Sequence, residues 1–175
     1  MPIKYRRYTI RSKEERKILK KISERLKFGI EMIMKKDSRI EILETNLFQI
    51  LLVNKKPLLF KTENRYYPTL LFKEIFDVSP RIIIDMGAIS HVCNGANIMA
   101  PGVVGFKGSF LEGDIVLVVD EKHGKPIAVG EVNYNAKDLK NLKRGVVVKT
   151  LHYVGDKVWS LAKEFIENEG GTTKF

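Results

Sequence analysis

One histidine–cysteine pair lies close enough along the chain to suggest chemistry, His91-x-Cys93. A nucleophilic thiol needs a base within hydrogen-bond reach, and a metal ion needs three or four ligands. On a helix, a spacing of two residues turns the side chains roughly 200° apart, so this pair diverges. One cysteine cannot form an internal disulfide, and with three histidines it leaves little for a zinc site. Cys93 therefore reads as a small core residue. The acids Asp114, Asp120 and Glu121 fall at strand ends or turns, and no carboxylate pair stands out as acid and base. Gly102, Gly105 and Gly108 lack the strand–GxGxxG–helix frame, and no GK[ST] motif marks a P-loop. The sequence thus points to no catalytic residue, no metal and no cofactor: a protein that is not an enzyme.

The cations carry the signal instead. The chain has 175 residues and a formal net charge of +10, and residues 1–39 hold 14 Lys/Arg against five Asp/Glu. Such a concentrated field attracts polyanions, of which nucleic acid is the commonest. In the arm PIKYRRYTI, Tyr5 and Tyr8 flank Arg6 and Arg7. This pattern suits phosphate contact with aromatic stacking, or an edge strand whose charges are solvated. Ser12 and Glu15 have capping-box spacing, and Ile18, Leu19, Ile22 and Leu26 follow at helical period. They predict a helix over 13–27 whose apolar stripe docks on a sheet. Its other face carries Lys13, Arg16, Lys17, Lys20 and Lys21, either as an RNA-backbone contact or as a solvated surface.

Beyond that helix, residues 28–34 suggest a short second helix, and 39–44, 48–54 and 57–62 read as strands. Turns are expected at 35–38, 54–56 and 63–65. Ser79-Pro80 marks a boundary, because proline keeps the preceding residue out of the helical region. After it the texture changes, with nearly all of the 13 glycines and strand-like runs at 82–85, 98–100, 115–120, 127–132 and 146–151. Helical pieces are expected at 86–93 and 136–142. Many short strands with glycine turns argue for a small barrel or sandwich. With 44% hydrophobic residues the chain can bury a core. Its apolar runs are too short to cross a bilayer, its basic start lacks the apolar segment of a secretory signal, and helix 13–27 has too few apolar anchors for a membrane surface. A soluble cytoplasmic protein, with no membrane partner, is the expectation.

Residues 87–102 read GAISHVCNGANIMAPG, a short helix ending at a glycine, then a strand and a Pro-Gly turn. This segment resembles the start of a PUA domain, named for pseudouridine synthases and archaeosine transglycosylases. Together with Tyr67-Pro-Thr-Leu70, Asp85-Met-Gly-Ala-Ile89, His152-Tyr153 and Trp159, it is similar to the malignant T-cell-amplified sequence family. The likeness spans roughly residues 12–160. It implies an α+β protein: a small N-terminal α/β pre-PUA domain (1–79), a C-terminal PUA β-pseudobarrel (80–162) and a tail (163–175).

The resemblance further implies RNA binding, to the 3′ CCA end of tRNA and to the small ribosomal subunit, in translation initiation or recycling. The alternative is a non-catalytic accessory subunit for a tRNA- or rRNA-modifying enzyme. Eukaryotic relatives pair with density-regulated protein, and whether this chain does is left open. The implied RNA groove comprises Gly95, Ala96, Asn97, Ile98, Met99, Pro101 and Gly102, with Lys149, Leu151, His152 and Tyr153 from the closing strand. His152 and Tyr153 are expected to stack on, or bond to, an unpaired base. Trp159 is expected to plug the barrel core rather than stack on a base. Arg6, Arg7, Lys13, Arg16, Lys17, Lys20 and Lys21 are expected to contact the RNA backbone.

Overall fold

The computed structural model describes residues 2–169 and divides into two compact units. Among the described residues, the first comprises 2–75 together with 157–169, and the second 76–156.

In the first unit five strands form an antiparallel meander: β1 (Arg6–Thr9), β2 (Ile40–Glu44), β3 (Gln49–Val53), β4 (Lys56–Thr62) and β5 (Arg65–Pro68). Two tight turns set its register. Val53 pairs with Lys56 and Thr62 with Arg65, leaving two residues in each turn. Asn54, Lys55, Glu63 and Asn64 all take positive φ, the geometry that matches the right-handed twist of the flanking strands. Strand β5 was not expected from the sequence, which suggested only a turn at 63–65 there.

The sheet is covered on both faces. Helix α1 (Ser12–Arg25) buries Ile18 and Ile22, and α4 (Lys157–Asn168) buries Val158, Leu161, Ala162 and Phe165. Strand alternation sorts the neighbours: Tyr8 lines a groove with α1 residues, whereas the next residue, Arg7, meets Phe165 and Glu169. Burial on both sides explains why β3 presents four consecutive buried residues, Ile50 to Val53. The α1 start differs from the expected capping box: Ser12 is already helical, Arg11 occupies the cap position, and no side chain caps the helix.

Because α4 groups with this first unit, the division differs from that expected from the sequence, which assigned residues through 162 to the second domain. Trp159 is half-buried and lies off the buried face of α4, with the Lys163 ammonium over its ring. It is not a plug in the core of the second unit.

The second unit is a six-stranded curled sheet in the order β7-β11-β10-β9-β6-β8: β6 (Arg81–Ile84), β7 (Ile98–Met99), β8 (Val103–Lys107), β9 (Ile115–Asp120), β10 (Pro126–Val132) and β11 (Val146–Tyr153). All neighbours are antiparallel except β6 and β9. Two short helices, α2 (Ile89–Val92) and α3 (Ala136–Leu139), complete it. The core gathers Ile82, Ile84, Val92, Ile98, Phe110, Val116, Val118, Val132 and Val148. Gly130 sits at a bulge between β10 and β11, where a Cβ would lie 2.7 Å from the Lys149 carbonyl oxygen and closer still to Val148. Only glycine fits this approach.

Candidate RNA-binding surfaces

The residues first suspected of chemistry have structural roles. Asp120 accepts backbone N–H bonds from His123 and Lys125 at 2.6 and 2.9 Å, closing the β9–β10 hairpin, and Asp114 accepts from Leu111 N. Burial pushes the Cys93 thiol up, away from the reactive thiolate. Among the described residues, no group of three or more His, Cys, Asp or Glu could hold a metal ion.

In the second unit, α2 ends in a double-bonded turn. Ala96 N–H donates to the His91 carbonyl and Gly95 N–H to that of Val92, with Gly95 at φ +88°. This is the Schellman pattern, which places a left-handed residue just after the helix. A second constraint acts on Gly95, since a Cβ there would meet the Tyr153 ring at 3.1–3.3 Å. The chain then runs along β11. Thr150 Oγ1 donates to the Ala96 carbonyl at 2.8 Å, Thr150 N–H donates to Asn97 Oδ1 at 3.0 Å, and Ile98 and Met99 pair with Val148 and Val146.

The expected groove residues separate by burial. Gly95, Ala96, Asn97, Met99, Pro101 and Lys149 are exposed, Met99 at 48%. Gly102, Leu151 and Tyr153 are half-buried, and Gly102 offers its carbonyl to Asp85 N–H. Ile98 belongs to the core. His152 is a correction. Its side chain is 1% exposed and its Nδ1 lies 2.8 Å from Asp156 Oδ2, which also accepts the Tyr153 N–H. It secures the end of β11 and cannot stack on an incoming base. Thr150, which stitches the loop to the strand, was not anticipated; only the strand pairing reveals it.

The cations of the first unit also separate. Arg6 pairs with Glu44, and Arg7 with both Glu41 and Glu169, at 2.9 and 2.7 Å. These bonds hold both guanidinium groups charged, and they tie the arm down as strand β1. The arm is an edge strand, but its arginines are paired with carboxylates within the unit rather than merely solvated. On α1, Lys13, Lys17 and Lys21 follow at one-turn spacing and, with Arg11, line a groove of about 540 Å³. Its other wall includes Tyr8, Gln49, Lys61 and Tyr66 from the sheet, and among the described residues Glu14 is its one acid. Burial pushes both phenols up, helped by Glu44 at Tyr8 and by Glu14 at Tyr66, so both stay protonated donors at neutral pH. Arg16 and Lys20 are exposed but do not line this groove. Lys61 and Gln49 were missed, since only the register that sets them opposite each other in β3–β4 brings them to the wall.

Known proteins match both units. The PUA domain model matches residues 80–154, and a domain of unknown function, DUF1947, matches residues 6–73. Malignant T-cell-amplified sequence 1 of Danio rerio is 33% identical over 139 residues, 75% of this chain and 76% of that protein. The chain belongs to the malignant T-cell-amplified sequence family. An uncharacterized protein of Methanocaldococcus jannaschii is 40% identical over 157 residues, covering 89% of this chain and 96% of that one. Translation machinery-associated protein 20 of Eremothecium gossypii is 28% identical, covering 89% and 92%. A PUA-domain crystal structure from Aeropyrum pernix, in complex with tartrate, superposes with a TM-score of 0.80 at 28% identity over 93% of both chains. Membership carries a coarse function with it, RNA binding in a translation-associated family. The PUA unit is the half with the exposed run Gly95-Ala96-Asn97. Among the described residues, no helix is long and apolar enough to cross a membrane.

Proposed function

We propose that this chain is a non-catalytic RNA-binding factor of translation, acting in the cytoplasm. Its PUA unit takes the unpaired 3′ CCA end of tRNA, and the protein works on the small ribosomal subunit. The observation that carries this reading is the exposed run Gly95-Ala96-Asn97, locked by the Gly95 turn and by two bonds to Thr150. A rigid backbone without bulky side chains lets nucleotides approach closely, and exposed Lys149 beside it supplies a phosphate contact. Tyr153, half-buried against Gly95, supplies an aromatic edge beside that run. Lys13, Lys17 and Lys21 of α1 add contact with the sugar–phosphate chain, which raises affinity without reading sequence.

The test is a binding titration of deacylated tRNA against the same tRNA lacking its CCA end, with co-sedimentation on small ribosomal subunits. Binding that weakens when CCA is removed, together with co-sedimentation at moderate salt, is the expected result. Equal affinity for both tRNAs would reject the 3′-end assignment. Absence of the protein from the subunit fraction would reject the ribosomal one.

A further inference from the structure

From the groove beneath α1 we infer a second nucleic-acid site, one that cradles the backbone of single-stranded RNA and does not read its bases. This inference rests on RNA being the protein's ligand, and it concerns a different unit from the PUA surface. The first supporting observation is charge sorting. Two grooves of similar size flank the sheet of the first unit, of about 540 and 590 Å³. In the larger, two of the three lining cations have acids, and two carboxylates, Glu15 and Glu41, line it with them: Arg7 bonds Glu41 and Glu169, and Lys55 bonds Glu169 at 3.0 Å, while Arg39 forms no ion pair among the described residues. In the α1 groove, Lys13, Lys17 and Lys21 form no ion pair among the described residues, and five cations (with Arg11 and Lys61) face the single carboxylate of Glu14. Five cations facing one acid on one side of a unit, against three cations and two acids on the other, leave a surplus of positive charge suited to an external anion.

The second observation is spacing. Lysines four residues apart on a helix stand about 6 Å apart along its axis, comparable with successive phosphates of a nucleic-acid strand. Lys61 and the phenols of Tyr8 and Tyr66 face the row from the sheet. A chain lying between these walls meets donors from both sides.

The third observation argues against base stacking. The guanidinium of Arg6 lies over the Tyr8 ring at 5.0 Å, the Lys61 ammonium lies 5.7 Å from the Tyr66 ring centre, and Tyr66 is only 5% exposed. A stacking platform needs a free aromatic face, whereas these rings already serve cations. What remains for a ligand is charge and hydrogen bonding to phosphate oxygens.

The test uses the full-length protein and fluorescence anisotropy with a labelled oligouridylate, an oligoadenylate and an RNA duplex of the same length. The groove variant is Lys13→Gln/Lys17→Gln/Lys21→Gln. The control, Arg16→Gln/Lys20→Gln/Lys27→Gln, removes equal charge from the exposed helix and its end. Melting curves check that both variants fold. The groove variant is expected to lose about tenfold in affinity for either oligonucleotide, and its log–log salt slope to fall by about 2, from three lost single-strand contacts. The control should lose little, the two oligonucleotides should bind alike, and the duplex should bind more weakly. Equal losses in both variants, or a duplex bound as well as the single strand, would overturn the groove. A strong preference between the two oligonucleotides would overturn backbone-only reading. Competition by polyglutamate as effective as by RNA would assign the groove to an acidic protein instead. Wild-type protein that binds RNA while the groove variant is unaffected removes this inference and leaves the proposed function standing, whereas wild-type protein that binds none of the RNAs removes both.

Discussion

Replacing Gly95 by alanine tests the geometry on which the PUA surface rests. Two costs add. At φ +88° a non-glycine residue enters the left-handed region, at about 1–2 kcal/mol. The new Cβ would also stand 3.1–3.3 Å from Tyr153 Oη, Cε1 and Cζ, so the ring must retreat by a few tenths of an ångström. The total expected for Gly95→Ala is about 1.5–3 kcal/mol. Asparagine tolerates left-handed backbone better, so Gly95→Asn keeps the ring contact but lowers the backbone cost. Urea unfolding followed by near-UV signal measures both variants, and the tRNA titration is run on the same samples at a temperature where each is folded. The expected order of stability is wild type, then Gly95→Asn, then Gly95→Ala. Affinity for tRNA bearing CCA should fall in both, because the ring displacement disturbs the surface even when the fold survives. Gly95→Ala as stable as wild type would refute the turn. A destabilised Gly95→Ala with unchanged tRNA affinity would place the RNA elsewhere.

Gly130→Ala should cost more than about 3 kcal/mol, since the Cβ meets the Lys149 carbonyl oxygen as well as Val148, and backbone cannot swing aside as a flexible side chain does; a thermal melt reads it directly. Asp156→Ala removes the acceptor of both the His152 ring and the Tyr153 N–H and should destabilise by about 1–3 kcal/mol, seen as a lower urea midpoint with an unchanged slope. Hydrogen bonds from Lys55, then from Arg7, hold the Glu169 carboxyl below the usual glutamate value. A depressed carboxyl adds stability above its unfolded value of about 4.3 that is lost as pH falls through the folded value. An NMR titration should therefore give a Glu169 midpoint below about 4.3 that rises in Lys55→Ala. Cys93 should react with iodoacetamide at pH 8 more slowly than free cysteine, because burial raises its thiol.

Elements whose signal is local were legible in the sequence. The α1 stripe fixes a helix, and Asn54-Lys55 tolerates the left-handed turn that closes β3 on β4. The strands of the PUA unit were found by their apolar runs, and the Gly95 cap by glycine after a short helix. What failed depends on partners remote in sequence. Strand β5 was missed because Glu63-Asn64 carries no glycine and Pro68 suggests a break, although it lies at a strand end where its missing N–H does no harm. Strand β8 was missed because Gly105 interrupts it and its place beside β6 is a long-range pairing. His152 looked like an exposed base-stacking group; only the return of Asp156 four residues later buries it as a bonded pair. The α4 helix was given to the wrong neighbour because its apolar face, Val158, Leu161, Ala162 and Phe165, states that it docks but not on what. Its ion pairs with β1 and with the β3–β4 turn, through Glu169, decide that question.

The same ion pairs explain why net charge misleads when it is read along the chain. Residues 1–39 hold most of the positive excess, yet Arg6 and Arg7 lie beside Glu41, Glu44 and Glu169, so their field is largely cancelled at any distance beyond a Debye length of roughly 8–10 Å. Lys13, Lys17 and Lys21 of α1 are not cancelled, because among the described residues Glu14 is the one acid in the groove they line. Attraction of a polyanion therefore follows the helix rather than the arm that precedes it. Removing Arg7 should destabilise the first unit while leaving the salt dependence of RNA binding nearly unchanged, and removing Lys17 and Lys21 should do the reverse. Two cationic segments adjacent in sequence then separate in charge pairing, because strand pairing gives one of them acids and denies them to the other.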